Sequence, residues 1–433
     1  MTFDQLLALV ILAAVVAALI HGKVRADVVA LTGAAALLAT GVIRPVEVQG
    51  AFASPAIITL ASLFVIAYAI ELSGLLDWVI QRGVILCRRI GALGLWLAMG
   101  LCGAGSAFLN NTPIVVLAAP VVRDMAQSLG HSPKRYLIPL SYLTIMGGAC
   151  TLIGTSTNLL VNDMARNAGQ PGFGIFEITP VALVIGAAGA AYLFLLGGRT
   201  LAKHAGDESD DADQDQADSG VVYVGDSELF AKHRPLDLTR ALVSAGVFVG
   251  VVIVAAMGWA PIAASAFAGA VLLVLLGTIN ADEAYRGLRP EVLLLIAGMV
   301  VVGLSFEVTG LASTVTGGLI GLIQPLGPWG ALFLLYGFVL LCTEVLSNAA
   351  VAVLLTPLAV ALADSLGVDA RPFIVAVMMA ASAAFATPFG YQTNVLVFQI
   401  GRYSYMDFVR VGLPMNLITW VVGGLVIPLV FPF

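Results

Sequence analysis

Phe108-Leu109-Asn110-Asn111-Thr112-Pro113 interrupts an otherwise apolar run near residues 91–122, and Gly154-Thr155-Ser156-Thr157-Asn158 interrupts another, between Ile153 and Leu159. Both motifs have a partner in the other half of the chain. Val345-Leu346-Ser347-Asn348-Ala349-Ala350 lies inside the run 325–363, and Thr387-Pro388-Phe389-Gly390-Tyr391-Gln392-Thr393-Asn394 precedes Val395. Polar groups hemmed in this closely by Leu, Ile, Val and Ala have few settings. Gly and Pro break a helix, and irregular backbone inside an apolar layer is tolerated only where protein or a water-filled cavity satisfies it. The interruptions therefore predict two hairpins that enter the layer and turn back, each accompanied by a helix broken near its middle.

The surrounding sequence supplies the layer. Of 433 residues, 60% are hydrophobic and 11% charged, against about 25% charged in an ordinary soluble domain. Apolar runs of about 17–25 residues, long enough to cross a bilayer, recur from end to end. The 46 glycines suit close helix packing in lipid. Ten spans are expected, near 6–20, 27–43, 55–70, 136–160, 179–196, 238–257, 260–276, 290–304, 373–398 and 408–431. The fold class is all-α and polytopic: two inverted-topology repeats with about ten transmembrane helices, plus two re-entrant hairpins with broken helices. Each hairpin arm reads as short for a full span. The first run has an acidic lead-in and no small-x-small cleavage pattern, so it reads as a retained span and not a signal peptide. Cys87, Cys102, Cys150 and Cys342 form no CxxC pair and read as small buried hydrophobes.

Basic residues orient the layout. Alternating the ten spans, with each hairpin returning to its own side, leaves Arg44, Arg166 and Arg371 on one face and the remaining 17 of the 20 Lys and Arg on the other. The positive-inside rule makes the rich face cytoplasmic, in a cell inner (plasma) membrane, with both termini outside. The hydrophilic stretch 199–235 falls on the cytoplasmic side. Its core, GDESDDADQDQADSG at 206–220, holds no cation, aromatic or apolar run and is expected to be a disordered, solvated tether.

This linker separates two units, 1–198 and 236–433, that resemble each other. Ile70-Glu71-Leu72-Ser73-Gly74-Leu75 recurs as Phe306-Glu307-Val308-Thr309-Gly310-Leu311, 236 positions on. Asn111 and Pro120 match Asn348 and Pro357 at 237; Gly154, Thr157 and Asn158 match Gly390, Thr393 and Asn394 at 236. With five spans and one hairpin per unit, the second unit enters the membrane from the opposite face. An inverted pair of this kind lets a carrier open to either side. Nothing resembles the carbonyl-lined filter or charged ring of a channel.

The chemistry falls on the hairpin tips (Asn110, Asn111, Thr112; Ser347, Asn348, Ala349) and on the helix breaks. Freed carbonyls ligate cations, while the restarted half-helices offer unpaired N–H groups and a positive dipole end to an anion. Hydroxyls and amides complete the coordination. The expected solute contacts are Asn110, Asn111, Thr112, Thr157, Asn158, Ser347, Asn348, Thr393 and Asn394. The sodium candidates are Asn110, Asn111, Gly154, Thr155, Ser156, Ser347, Asn348, Gly390 and Glu344. No Lys or Arg falls inside a span except Arg240 and Arg410, each two residues in from a span end, so a bound anion is expected to rely on amides, hydroxyls, helix ends and a co-bound cation. Glu344, in an apolar hairpin arm, reads as a sodium ligand, a proton carrier or a bystander in an aqueous vestibule. Glu71 and Glu307 read as structural ties at span ends. His21, His131, His204 and His233 fall in loops without metal-ligand spacing.

FLNNTP with GTSTNLL, and VLSNAA with TPFGYQTN, resemble the divalent anion/sodium symporter family within the ion transporter superfamily. That resemblance implies uptake of sulfate or of di- and tricarboxylates coupled to Na+, and a homodimer in which a transport domain moves against a scaffold like an elevator. It further implies that Asn110 to Thr112 face Gly154 to Asn158, and that Ser347 to Ala349 face Gly390 to Asn394. Two positions depart from the family's Ser-Asn-Thr pattern: Asn110 replaces a serine, and Ala349 replaces a threonine and removes a hydroxyl. The alternatives on the same fold are a proton-coupled or cation–citrate carrier and an arsenite-type efflux permease. An enzyme would need a nucleophile facing a base at depth, and no Ser/His, Cys/His or metal cluster qualifies. The partners expected are a small anion, sodium and the lipid bilayer, with no cofactor, no nucleic acid and no soluble regulatory domain.

Overall fold

The structure, a computed structural model, describes residues 2–21, 23–88, 90–197, 235–314, 317 and 324–433. The acidic linker, apart from Pro235, lies outside the described residues. The described secondary structure is helical throughout, which makes the chain an all-α polytopic membrane protein. Before the linker lie α1 (Phe3–His21), α2 (Ala26–Ala39), α3 (Pro45–Phe52), α4 (Pro55–Leu72), α5 (Leu75–Arg88), α6 (Ala92–Ser106), α7 (Asn111–Ser128), α8 (Lys134–Gly148), α9 (Ser156–Asn167) and α10 (Thr179–Tyr192). After it lie α11 (Leu238–Ala256), α12 (Ile262–Leu275), α13 (Ala281–Gly287), α14 (Pro290–Val308), α15 (Gly327–Thr343), α16 (Asn348–Leu366), α17 (Arg371–Ala381), α18 (Gln392–Gly401) and α19 (Tyr405–Val430).

Among the described residues, seven helical segments are long and apolar enough to cross a membrane: Phe3–His21, Pro45–Leu72, Thr179–Leu196, Leu238–Ala256, Pro290–Val308, Asn348–Leu366 and Tyr405–Val430. One of them corrects an expectation, because Asn348–Leu366 falls where a short hairpin arm is expected and its 19 residues are not short for a span. The expected spans 136–160 and 373–398 each prove to be two shorter helices, α8 with α9 and α17 with α18, separated by 149–155 and 382–391. The connecting helices α3, α5 and α13 were not expected, because only unbroken apolar runs had been counted. They carry charges within the helix, such as Glu47, Asp77 and Arg286.

The repeat in sequence is a repeat of elements. Helices starting at Ala26, Pro55, Asn111, Lys134 and Ser156 recur at Ile262, Pro290, Asn348, Arg371 and Gln392. Packing follows the same exchange: α2 packs on α14 as α12 packs on α4, α6 on α8 as α15 on α17, and α7 on α18 as α16 on α9. These contacts sort the helices into two bodies. One holds α1–α4 and α11–α14; the other holds α5–α10 and α15–α19. The bodies meet chiefly where α14 lies on α16 and α4 touches α5 and α9.

Small residues set the closest approaches. A Cβ at Gly147 on α8 would meet the backbone of α6, with the Gly103 carbonyl carbon at 2.6 Å and its Cα at 3.0 Å. Gly147→Ala should therefore force α6 and α8 apart at a cost of about 1–3 kcal/mol. Gly100→Ala, whose Cβ meets nothing within 4 Å, is the control. Thermal unfolding in detergent checks this: the melting temperature should drop for Gly147→Ala and hold or rise for Gly100→Ala. Equal values would mean that α6 and α8 are not in backbone contact.

Candidate functional site

Both tips and both breaks converge on one cavity of about 270 Å³. Four helices of the body holding α5–α10 and α15–α19 start at its wall, and the residue capping each start lines it: Asn110 for α7, Thr155 for α9, Ser347 for α16 and Tyr391 for α18. Asn110 accepts a hydrogen bond from the Thr112 N–H at 3.2 Å, and the Ser347 hydroxyl accepts from the Ala350 N–H at 3.3 Å. Side-chain caps of this kind decide where a helix begins. Four positive dipole ends thus face one space, an arrangement suited to an anion.

Inside each unit the tip is tied to its break by matching hydrogen bonds. Ser106 donates to the Asn111 amide oxygen, and Thr343 donates to that of Asn348 at 2.9 Å. The Thr151 hydroxyl donates to the Ala107 carbonyl, as the Thr387 hydroxyl does to the Glu344 carbonyl at 3.3 Å. The units also meet across the cavity. Asn111 Nδ2 donates to the Tyr391 hydroxyl at 2.8 Å, and the Thr112 hydroxyl donates to Gln392 Oε1 at 3.2 Å. The first tip therefore faces the second break as well as its own.

Of the expected residues, Asn110, Asn111, Thr112, Gly154, Thr155, Ser156, Thr157, Ser347, Asn348 and Gly390 line the cavity. Asn158, Thr393 and Asn394 do not, and all three are buried at 2% exposure or less. Asn158 Nδ2 donates to the carbonyls of Ala149 (3.3 Å) and Thr151 (2.9 Å); Asn394 Nδ2 donates to those of Ala384 (2.9 Å) and Thr387 (3.4 Å). These amides hold the broken backbone together from behind. Glu344 is also outside the lining: its Oε1 accepts from the backbone N–H groups of Phe385 (2.9 Å) and Ala386 (2.8 Å) and from Asn416 Nδ2 (2.6 Å).

Neither Gly154 nor Gly390 has a positive φ; crowding explains the glycines. A Cβ at Gly154 would meet the Ala107 carbonyl oxygen at 2.7 Å and that of Ser106 at 3.0 Å, with the Gly148 carbonyl oxygen closer still. The lining also contains a cation that the sequence reading left in a loop, Arg289, along with Leu60, Phe64 and Phe248. The signal that could have found it is its place directly before Pro290, which opens a long apolar helix.

A many-helix membrane fold whose helix starts converge on one small polar cavity defines a secondary-transporter architecture. The profile of the citrate transporter family matches residues 15–377, and the chain belongs to that family, within the ion transporter superfamily. It is a membrane transporter and not an enzyme. The sodium-dependent dicarboxylate transporter SdcS of Staphylococcus aureus is 24% identical over 90% of this chain and 79% of its own. Sodium/sulfate cotransporter 1 of Chlamydomonas reinhardtii is 34% identical over 159 residues, 36% of this chain and 18% of that protein. In fold, the chain is similar to the Alcanivorax borkumensis YdaH transporter, with a TM-score of 0.61 at 15% identity over 88% of this chain and 86% of that one.

Loss of either tip amide should be disabling. Asn111→Ala leaves the Ser106 hydroxyl without its amide acceptor, a loss of about 1–3 kcal/mol for a buried group, and Asn348→Ala removes the amide at the second tip and leaves Thr343 only the Ala381 carbonyl. Uptake should vanish in both variants while membrane insertion persists. Rates above half of wild type in either one would remove that residue from the site.

Proposed function

We propose that the protein is a sodium-coupled symporter of a small divalent or trivalent anion, a di- or tricarboxylate or sulfate, working by alternating access. The observation that carries this reading is the convergence of four helix starts, with their amides and hydroxyls, on one cavity. A volume of about 270 Å³ lies just under the roughly 300–1,000 Å³ of drug-sized ligand sites, which suits a small solute. The sodium-dependent dicarboxylate transport named for SdcS and the sodium/sulfate cotransport named for the Chlamydomonas protein support the same class.

Units 1–198 and 236–433 form the inverted pair, with both termini outside and linker 199–235 cytoplasmic. The body holding both hairpins (91–122 and 325–363) carries the solute, and the body of α1–α4 and α11–α14 is the scaffold of a homodimer in the plasma membrane. An elevator-like displacement of one body past the other is supported by their largely separate packing.

Sodium belongs with the first unit. The carbonyl ends of α6 and α8 converge beside Gly154, where those of Ser106, Ala107 and Gly148 surround the space a Cβ would fill. Asn111 Oδ1 lies 2.5 Å from the corresponding point on Gly148. Carbonyl ends of broken helices are the usual sodium ligands of such carriers. The second unit is poorer in oxygen: around Gly390 the Ala384 methyl (2.7 Å) takes the place of a carbonyl, leaving Thr387 Oγ1 (3.1 Å) and the Thr343 carbonyl (3.5 Å). Glu344, with three donors on one oxygen, is a positioning group for residues 385 and 386.

Proteoliposome uptake of succinate, citrate and sulfate, each against imposed sodium or proton gradients, tests the reading. At least one anion should enter faster down a sodium gradient. Gly154→Ala should raise the half-saturating sodium concentration about tenfold, equivalent to about 1.4 kcal/mol. Gly390→Ala and Glu344→Gln should leave it within twofold. Indifference of all three anions to sodium would sink the proposal, and a response to pH alone would favour a proton-coupled carrier.

A further inference from the structure

The cavity has two unlike walls. The body bearing the tips and breaks supplies amides, hydroxyls and helix starts, whereas the facing body supplies an apolar surface from Leu60, Phe64 and Phe248. Arg289 is the exception on that second wall. It caps α14, with its guanidinium 5.9 Å from the centre of the Phe64 ring. Apart from that ring contact, nothing local favours an arginine there. Capping positions prefer Ser, Thr, Asp or Asn, and Arg289 makes no side-chain cap bond. The positive end of the α14 dipole opposes a cation at that point. Among the described residues no carboxylate pairs with it, and Glu291, two residues on, forms no ion pair with it. The counterpart in the first unit, Ser54, is an ordinary cap that accepts from the Ile57 N–H at 3.3 Å.

We propose that Arg289 is an anion contact made from one side only: it binds the solute in the state open to the arginine-rich face and loses it when the tip-bearing body moves to the other side. This rests on the carrier reading above and adds the cation that the cavity otherwise lacks. Ser54, at the equivalent position facing the opposite side, carries no charge, so the two open states of a nearly symmetric carrier hold the same anion with different strength. A group that touches solute in one state alone also biases the loaded carrier toward that state.

The experiment compares everted with right-side-out membrane vesicles from cells expressing the full chain. Half-saturating concentrations are measured for succinate, citrate and sulfate in wild type, Arg289→Gln and Arg289→Lys. In everted vesicles Arg289→Gln should raise the half-saturating concentration about tenfold, as loss of one charged hydrogen-bond partner does. Lysine should recover most of that loss. In right-side-out vesicles neither variant should change it more than twofold. An equal shift in both orientations, or none in everted vesicles, overturns the one-sided contact while leaving the symporter reading intact. A wild type that moves none of the three anions in either orientation overturns both.

Discussion

A helix broken at membrane depth frees backbone carbonyls and N–H groups where no water is at hand, and each one left unpaired costs several kcal/mol. The architecture around the cavity answers that constraint. Asn158 and Asn394 each use both amide hydrogens on carbonyls of their own break. Thr151 and Thr387 pin each break to its hairpin. Leu152 donates its N–H to the Ile175 carbonyl at 2.9 Å, and Thr179 donates its hydroxyl to that of Cys150 at 2.7 Å. With these groups spoken for, the helix starts face the cavity, and the Ser106 and Gly148 carbonyls lie beside Gly154, which lines it.

That division of labour separates holding the site from using it. The residues behind the breaks fix the backbone, and the residues in front present polar atoms to the cavity. The wall opposite is mostly hydrocarbon. Apolar surfaces lack directional bonds, so one body can slide past the other without breaking a fixed set of hydrogen bonds at each step. A cross-body hydrogen-bond network at the cavity would have locked the two together; the polar ties around the cavity run within the tip-bearing body, and the Asp163 carboxyl of α9 beside Ser54 and Ala56 at the start of α4 is a separate contact across the seam.

The tips and breaks were legible because polar residues in an apolar run have few reasons to be there. Asn111 and Gly154 could be read from sequence for that reason. Two kinds of feature were not legible. A buried asparagine that stitches backbone, such as Asn158, has the same sequence context as one that meets solute, and only the direction of its amide separates them. Arg289 sits one residue outside a helix, so counting charges within spans classed it with the loops. Folding sets the start of α14 against the tips, which no linear window contains. Helix α5 escaped for a related reason: Asp77 and Arg82 divide its apolar residues, and its pattern is amphipathic.

The two units share a backbone plan and differ in chemistry, and the differences fall at matched positions. Gly148 is matched by Ala384, Asn110 by Ser347, Thr112 by Ala349, Ala107 by Glu344 and Ser54 by Arg289. A pair of identical inverted units would make the two open states energetically equivalent, so that solute and ion bound equally well from either side. Each matched substitution removes part of that equivalence. Beside Gly154 three carbonyls crowd where Gly390 meets a methyl and a hydroxyl. The first break rests on the Ala107 carbonyl, while the second is further held by the Glu344 carboxylate through Phe385 and Ala386. On the symporter reading proposed above, coupling requires that an ion site and a solute site differ in kind, and a duplicated fold can reach that condition by letting equivalent positions diverge while the broken-helix scaffold stays common to both.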